Sequence, residues 1–450
     1  MQPRTLAGGL VLRAATEADA PALEAFNGRV HGTGDDPDTG LGAWTRDLVA
    51  GRHPSIRASD FLVVVEPRDS AVVSSLNLIA QRWTYDGVGF GVGQPELVGT
   101  DPAYRNRGLV REQFAVVHRW CEQRGLGVQA IGGIPWYYRQ FGYEYALPGW
   151  GGRRLAAADA EGAAGPRSPT VDRGRPSPGG HRGGLRLRPA VAADAALLTR
   201  MSARADRRSA VACPRDEAAW RHEITGHSAD SGLRQAVDVL ETGDRAVGAL
   251  VRTRWTLRGA IGILMLEIDD TAVWLDVVPA VLRHLLDRGR EAAQGEGADL
   301  AALEFGLGEH HPAYSALPRA ATPFTRDAWY IRVPDLVVLL RLLAPALERR
   351  LAASPAAGVT GDLLLSFYRS GLRLAFAGGR LAAVEPWLAP QWRTASAALP
   401  DLTFLKLLFG HRSLDQLAEA YPDVILGSDR ARAVLDACFP RRSSTIWPSA

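Results

Sequence analysis

The sequence predicts an α/β (α+β) protein, with two like-built domains on mixed central sheets followed by a small α+β domain. Three observations carry this. The chain has 450 residues, about three times the roughly 150 residues of an ordinary domain. Residues 9–23 (GLVLRAATEADAPAL) recur at 184–198 (GLRLRPAVAADAALL), an offset of 175 with nine of fifteen positions identical. Finally, the segment from Val333 onward follows a pattern seen in neither copy.

Each copy opens with a short alternating strand, marked by Leu10 and Leu12 or by Leu185 and Leu187. Asp19 or Asp194 then stands near the start of an amphipathic helix, where a carboxylate satisfies free N–H groups. Two copies of one fold explain the match; a recurrent strand-to-helix opening met by chance is the alternative. Residues 1–155 form the first domain. Residues 156–183 are rich in Gly, Pro, Ala and Arg without apolar periodicity, which predicts a linker or long surface loop. The second domain covers 184–333 and the third 334–450. In the third, Pro334–Ala353 is a strongly apolar helix pattern. Asp362–Glu385 holds two or three β-like runs with a hairpin turn at Gly378-Gly379, and helices follow at Asp401–Phe409, Ser413–Ala420 and Arg430–Cys438.

Composition narrows the function. With 46% hydrophobic and 22% charged residues the chain is globular rather than disordered. No run of 18 apolar residues is present, which argues against a membrane span. The N-terminus lacks the apolar core of a secretory signal. Cys121, Cys213 and Cys438 lie far apart, so neither a disulfide framework nor a cysteine zinc ribbon is expected, and the reading is a reduced, cytoplasmic protein. Of 52 basic residues only Lys406 is a lysine. The acidic residues are interspersed with the arginines, so nucleic acid is not an expected partner.

Chemistry concentrates in residues 96–146. An extended Leu97–Thr100 meets a turn at Asp101-Pro102 and then Arg105-Asn106-Arg107-Gly108. Leu109, Val110, Gln113, Phe114, Val117 and Cys121 recur at three- and four-residue spacing, one face of a helix. Backbone N–H groups at a helix start bind anions, a pyrophosphate among them. Gly108 allows close backbone approach, and Arg105 and Arg107 add positive charge. A strand at Gly127–Ile131, then Gly132-Gly133-Ile134-Pro135 and WYYRQFGY (136–143), completes the segment.

In these two motifs the chain resembles the GNAT superfamily of N-acetyltransferases, where R-x-x-G-x-G/A cradles the pyrophosphate of acetyl-coenzyme A and Y-x-x-F-G-F/Y closes the site. The resemblance implies tandem GNAT folds, with acetyl-CoA as co-substrate held by Arg105, Asn106, Arg107, Gly108, Leu109 and Val110. Val110 stands where the family has a small residue. It further implies an oxyanion donor among the backbone N–H groups of Val98, Gly99 and Thr100, and Tyr138 as the acid that protonates the departing thiolate. The long chain is similar to the enhanced-intracellular-survival group of aminoglycoside acetyltransferases, which carry a second GNAT-like domain and a C-terminal sterol-carrier-like domain. That likeness implies a homo-oligomer, a small polyamine- or aminoglycoside-like amine as acceptor, and the terminal carboxylate, here Ala450, as base. The aromatic terminal residue usual in that group is missing. The second copy has Ser315 where Tyr138 stands and no Arg-Xaa-Xaa-Gly before its helix near Pro279–Leu286, so it reads as a scaffold without a cofactor site.

Other residues stay open at this point. Trp44, Trp83 and Tyr85 either wall an acceptor pocket or pack in the core. Asp35, Asp36 and Asp38 either attract a cationic amine or form a solvated acidic turn. Tyr137 and Tyr143 read as packing residues, and His118 as a surface or packing residue. His222/His227 and His310-His311 lack a completing ligand set, so no metal is expected. The competing class is a non-enzymatic protein whose sterol-carrier-like tail binds an apolar ligand or a partner.

Overall fold

A computed structural model describes residues 1–165, 184–325, 328–388 and 391–447. The chain forms two compact units, one of residues 1–149, 206–214 and 327–450, the other of residues 150–205 and 215–326.

The first unit is built on a nine-stranded sheet. Its strand order is Arg4–Thr5, Val11–Ala14, Phe61–Glu66, Ala71–Tyr85, Val88–Thr100, Val128–Ile131, Ala328–Arg332 and Glu144–Pro148, and Val211–Ala212 pairs with Ala71–Tyr85. Phe61–Val65 (FLVVV) is apolar and rich in β-branched valine, and the strand is buried through to Glu66, as one covered on both faces must be. The helix Leu109–Gln123 packs Leu109, Phe114 and Val117 with Leu62, Val64, Leu76 and Leu78. Helix Ala20–His31 lies against the strands Ala71–Tyr85 and Val88–Thr100.

Two expectations change here. The strand Ala328–Arg332 belongs to this sheet, inserted between Val128–Ile131 and Glu144–Pro148. The boundaries at 155 and 333 therefore shift, because local pattern marks a strand but not its neighbours. The C-terminal segment is also not separate: one continuous core joins Trp83, Tyr85 and Phe90 to Leu339, Leu374, Phe404 and Phe439. Within that segment, helix Leu336–Ala352 precedes the strands Gly361–Ser366, Gly371–Ala377 and Arg380–Pro386. Gly378 and Gly379 take positive φ of 59° and 82°, the turn expected of a Gly-Gly hairpin. Helices Thr403–Leu408, Leu414–Ala420 and Asp429–Cys438 follow as expected.

The second unit carries a seven-stranded sheet in the order Thr322–Thr325, Gly151–Ala156, Ala302–Phe305, Ala260–Ile268, Arg245–Leu257, Ala236–Thr242 and Leu185–Pro189. Helix Trp274–Gly295 covers it with Val277, Val281, Leu282 and Leu285. Residues 157–164, expected as linker, form a helix whose Ala157, Ala160 and Ala164 are buried. Alanine has the highest helix propensity, but its small side chain leaves little periodic signal. The rest of the expected linker, residues 166–183, lies outside the described residues.

The repeat is visible atom by atom. Arg13 forks onto Asp19 at 2.8 and 2.7 Å, and Arg188 onto Asp194 at 2.7 and 2.9 Å. Each aspartate also accepts a backbone N–H three residues upstream, from Thr16 or Val191, at 2.8 Å. These carboxylates thus lock the strand-to-helix corner rather than capping the helix that follows.

Candidate active site

The site starts from a defect in strand pairing. Ser75 pairs with Gly99 and Asn77 with Glu96, so one strand advances two residues while the other advances three. The extra residue is absorbed at Leu97, whose φ is +52°, a β-bulge. On its other side Val88–Thr100 pairs in parallel with Val128–Ile131 only at Val92–Val128 and Gly93–Gln129. Ala130 and Ile131 have no partner in Val88–Thr100, although on their other edge they stay paired with Ile331 and Tyr330. The strands therefore diverge, and the edge of residues 94–100 is left for a ligand's hydrogen bonds.

Beyond the bulge the chain builds an anion site. Asp101 accepts from Ala103 N at 3.0 Å and pairs with Arg29 at 2.9 Å, fixing the turn. Asn106 and Gly108 have φ of +62° and +76°, and Gly108 precedes the helix with no side-chain cap. The first N–H groups of Leu109–Gln123 thus have no side-chain partner, the condition for binding a phosphate. A Cβ on Gly108 would meet nothing within 4 Å, so its glycine answers to the left-handed backbone rather than to a close contact with protein. Arg105 donates to Thr100 O at 3.3 Å, and Arg107 lies 4.7 Å over the Tyr104 ring.

One cavity of about 970 Å³ joins these parts. Val98, Gly99 and Thr100 of the splayed strand line it, as do Arg105, Asn106, Arg107, Gly108, Leu109 and Val110. Tyr138, on the turn Tyr137–Phe141, lines the same cavity and is only 3% exposed. Its ring sits in an aromatic nest with Phe114, Tyr137 and Tyr330 at centroid distances of 6.0, 5.2 and 5.4 Å. Burial, and then the charge of Glu96, push its phenol well above the ordinary value, so it stays protonated. Arg139 and Lys406 both bond Glu144 Oε1, at 2.5 and 2.9 Å, which ties the turn to the helix Thr403–Leu408.

Glu96, His31 and Arg111 are among the cavity groups not singled out from the sequence. Glu96 sits beside the bulge; burial raises its carboxyl pKa, while donors from Gln94 and the Leu97 backbone oppose the rise. Opposite it, Asn77 is fully buried with neither amide atom partnered within the protein. His31, at the end of helix Ala20–His31, is lowered by desolvation against Asp38 and the Leu97 backbone. Arg111, one turn into the motif helix, donates to Gln140 at 3.0 Å. Tyr137, expected only to pack, also lines the cavity, whereas Tyr143 is fully buried.

Several candidates do not come together there. Trp44 is 4% exposed in the helix Thr39–Val49 and is not a cavity residue. Asp35 and Asp36 are exposed in the turn before that helix, and Asp38 caps it through Leu41 N at 2.8 Å. Trp83 and Tyr85 are core residues, the former edge-on to Trp329 and the latter donating to Leu408 O at 2.6 Å. Ala450 lies outside the described residues. The last described stretch is anchored where Val211 N donates to Ser444 Oγ at 3.0 Å, opposite Tyr85, eight residues along its strand from Asn77.

Among the described residues of the second unit, the helix start is built differently. This helix begins at Trp274 after Asp269 and Asp270, with Asp276 in the first turn, charges that repel a phosphate. Buried His311 accepts from Ala313 N through Nδ1 at 3.2 Å and reaches Glu267 through Nε2 at 3.2 Å, with Trp274 edge-on at 5.5 Å. Among the described residues no group of three or more His, Cys, Asp or Glu side chains could hold a metal ion, and no helix is long and apolar enough to cross a membrane.

Comparison with known proteins agrees with this geometry. Residues 12–146 match the acetyltransferase (GNAT) domain. No curated protein sequence matches the chain. Among solved structures, the fold is similar to a GCN5-related N-acetyltransferase from Anabaena variabilis (TM-score 0.61, 14% identity, 98% of this chain and 99% of that one). It is also similar to one from Kribbella flavida (0.61, 18%, 97% of each). Eis1 from Mycobacterium abscessus matches at a TM-score of 0.58 and 16% identity over 98% of this chain and 99% of that one. The chain therefore carries a GNAT domain and is an acyltransferase whose co-substrate is acetyl-CoA.

Proposed function

We propose that this protein transfers the acetyl group of acetyl-CoA to a primary amine of a small polyamine- or aminoglycoside-like acceptor, by direct attack in a ternary complex. The observation that carries the reading is that a carboxyl, Glu96, and a protonated phenol, Tyr138, line one cavity with the anion loop at Gly108. A primary amine of pKa near ~10 is about 0.1% neutral at pH 7, so attack requires a proton acceptor. Glu96, whose carboxyl pKa is raised by burial, is the better base for it. The amine nitrogen bonds to the acetyl carbon and its proton passes to Glu96. Charge on the carbonyl oxygen is met by a backbone N–H of Val98–Thr100. The C–S bond then breaks and Tyr138 gives its proton to the thiolate.

The test is a panel of amines assayed by thiol release. Tyr138→Phe should lower kcat by about 10²-fold or more with acetyl-CoA affinity intact, and Glu96→Gln should do likewise. The alternative base, the terminal carboxylate of Ala450, predicts the opposite pattern. A tag after Ala450 would then cut kcat far more than a tag before Met1, while Glu96→Gln would leave the rate unchanged. Failure of every amine to release thiol sinks the transfer reading.

A further inference from the structure

We infer that Trp83, Gln81 and Gln94 form a one-way chain of hydrogen-bond donors that positions Glu96 as an acceptor in the cavity, which rests on reading Glu96 as the base. Three links of equal length make it. Trp83 Nε1 donates to Gln81 Oε1 at 2.7 Å, Gln81 Nε2 to Gln94 Oε1 at 2.7 Å, and Gln94 Nε2 to Glu96 Oε1 at 2.7 Å. An indole N–H donates and never accepts. Trp83 therefore obliges Gln81 to present its carbonyl oxygen, which turns the Gln81 amide NH₂ toward Gln94. The same constraint passes through Gln94 to the carboxylate. Amide orientation is ambiguous for an isolated glutamine, but here one end of the chain decides both. The Cys213 thiol, 3.8 Å from Gln81 Oε1, also donates to that oxygen. Trp83, Gln81 and Gln94 are 0%, 8% and 2% exposed, so water has little access with which to reverse the order.

The consequence lies in protonation. A carboxyl that receives N–H donors is favoured as the anion, whereas one facing a carbonyl is favoured as the acid. The chain thus keeps Glu96 ready to take a proton against the burial that would neutralise it. Other titratable groups share the cavity: His31 from the helix Ala20–His31, Tyr137 and Tyr138 from the turn, and Tyr104, Arg105, Arg107 and Arg111 from the loop and motif helix. None of them belongs to the chain, and the variants below leave all of them in place.

The experiment is a carbon-13 NMR titration of full-length protein labelled at the glutamate carboxyl carbons. The Glu96 signal is assigned by its loss in Glu96→Gln. Gln94→Leu should raise the Glu96 midpoint by about one pH unit, the scale of one lost hydrogen bond to a charged group. Trp83→Phe, two links away, should raise it in the same direction by less. An unmoved or lowered midpoint in a variant that melts as a folded protein overturns the inference. Should Gln94→Leu fail to fold, Trp83→Phe decides alone by the same criterion, with Gln81→Leu in its place if that too fails. Amine acetylation by Glu96→Gln separates the two levels. Retained activity removes Glu96 as base, and the inference with it. Lost activity with unmoved midpoints removes the chain alone.

Discussion

Gly108 provides the sharpest test of how the anion loop works. Its φ of +76° is left-handed, and a Cβ there would meet nothing within 4 Å. Gly108→Ala should therefore act through the backbone alone. An L-residue with a Cβ pays about 1–2 kcal/mol to adopt that conformation. If the loop holds its shape only by meeting that cost on binding, coenzyme affinity falls about 5- to 30-fold at 1.4 kcal/mol per decade. Gly108→Asn is the control. Asparagine tolerates the left-handed region, and Asn106 already occupies it two residues earlier at +62°, so Gly108→Asn should stay within about threefold of the parent. Isothermal titration with coenzyme A reads both variants. Equal, large losses would mean that the pyrophosphate needs the volume of the missing side chain, not the backbone angle. No loss in either would mean that the loop does not hold the pyrophosphate.

Three further outcomes follow from the packing. In Gly99→Ala the new Cβ would lie 2.8 Å from Val30 Cγ1 and 3.4 Å from His31 Nε2, displacing the helix end from the splayed strand. Its kcat should drop while coenzyme affinity holds, and an unchanged kcat would exclude that helix from the reacting geometry. Lys406→Met removes one partner of the buried Glu144, whose side chain is 6% exposed. Stability should fall by about 3 kcal/mol, measured by denaturant unfolding, and a change under about 1 kcal/mol would show that Arg139 suffices alone. His118 is held at about 4, by burial first and then by the Arg332 charge, against an unfolded value near 6.5. The unfolded chain binds this proton first, so stability is full above about pH 6.5 and declines as pH falls toward 4. His411, also at about 4, adds to the same decline. Melting curves of His118→Gln between pH 7 and 4.5 should slope less than the parent's, and parallel slopes would refute the assignment.

Much of this was open to reading from residues in order. A loop of Arg, Asn and Gly at a helix start is common and says little alone; its order and spacing with the aromatic motif after the next strand are what point to an anion site. Tyr138 stands in a motif whose spacing is its own signal, and Gly378-Gly379 specifies its turn. Glu96 left no such mark, because a glutamate in a strand reads as a side chain facing water until a bulge at Leu97 turns it inward. Arg111 resembled an ordinary helix charge, since only the placement of Gly108 shows which face meets the ligand. Trp83 and Tyr85 could by type wall a pocket or pack in the core, with twelve tryptophans to place favouring the core, and their burial places them there. Strand neighbours were the least legible, because Ala328–Arg332 carries its apolar pattern wherever it pairs.

That late strand sets a timetable for biosynthesis. In the sheet Ala328–Arg332 stands between Val128–Ile131 and Glu144–Pro148 and pairs with both, so the acetyl-transferring half lacks one strand of its sheet until some 330 residues have left the ribosome. Translation at roughly 5–20 residues per second makes that a wait of about ten seconds or more. A gene fragment ending near residue 155 would then yield an unfinished sheet with two raw edges, and a working enzyme only when the missing ribbon is supplied, in cis or as a separate peptide.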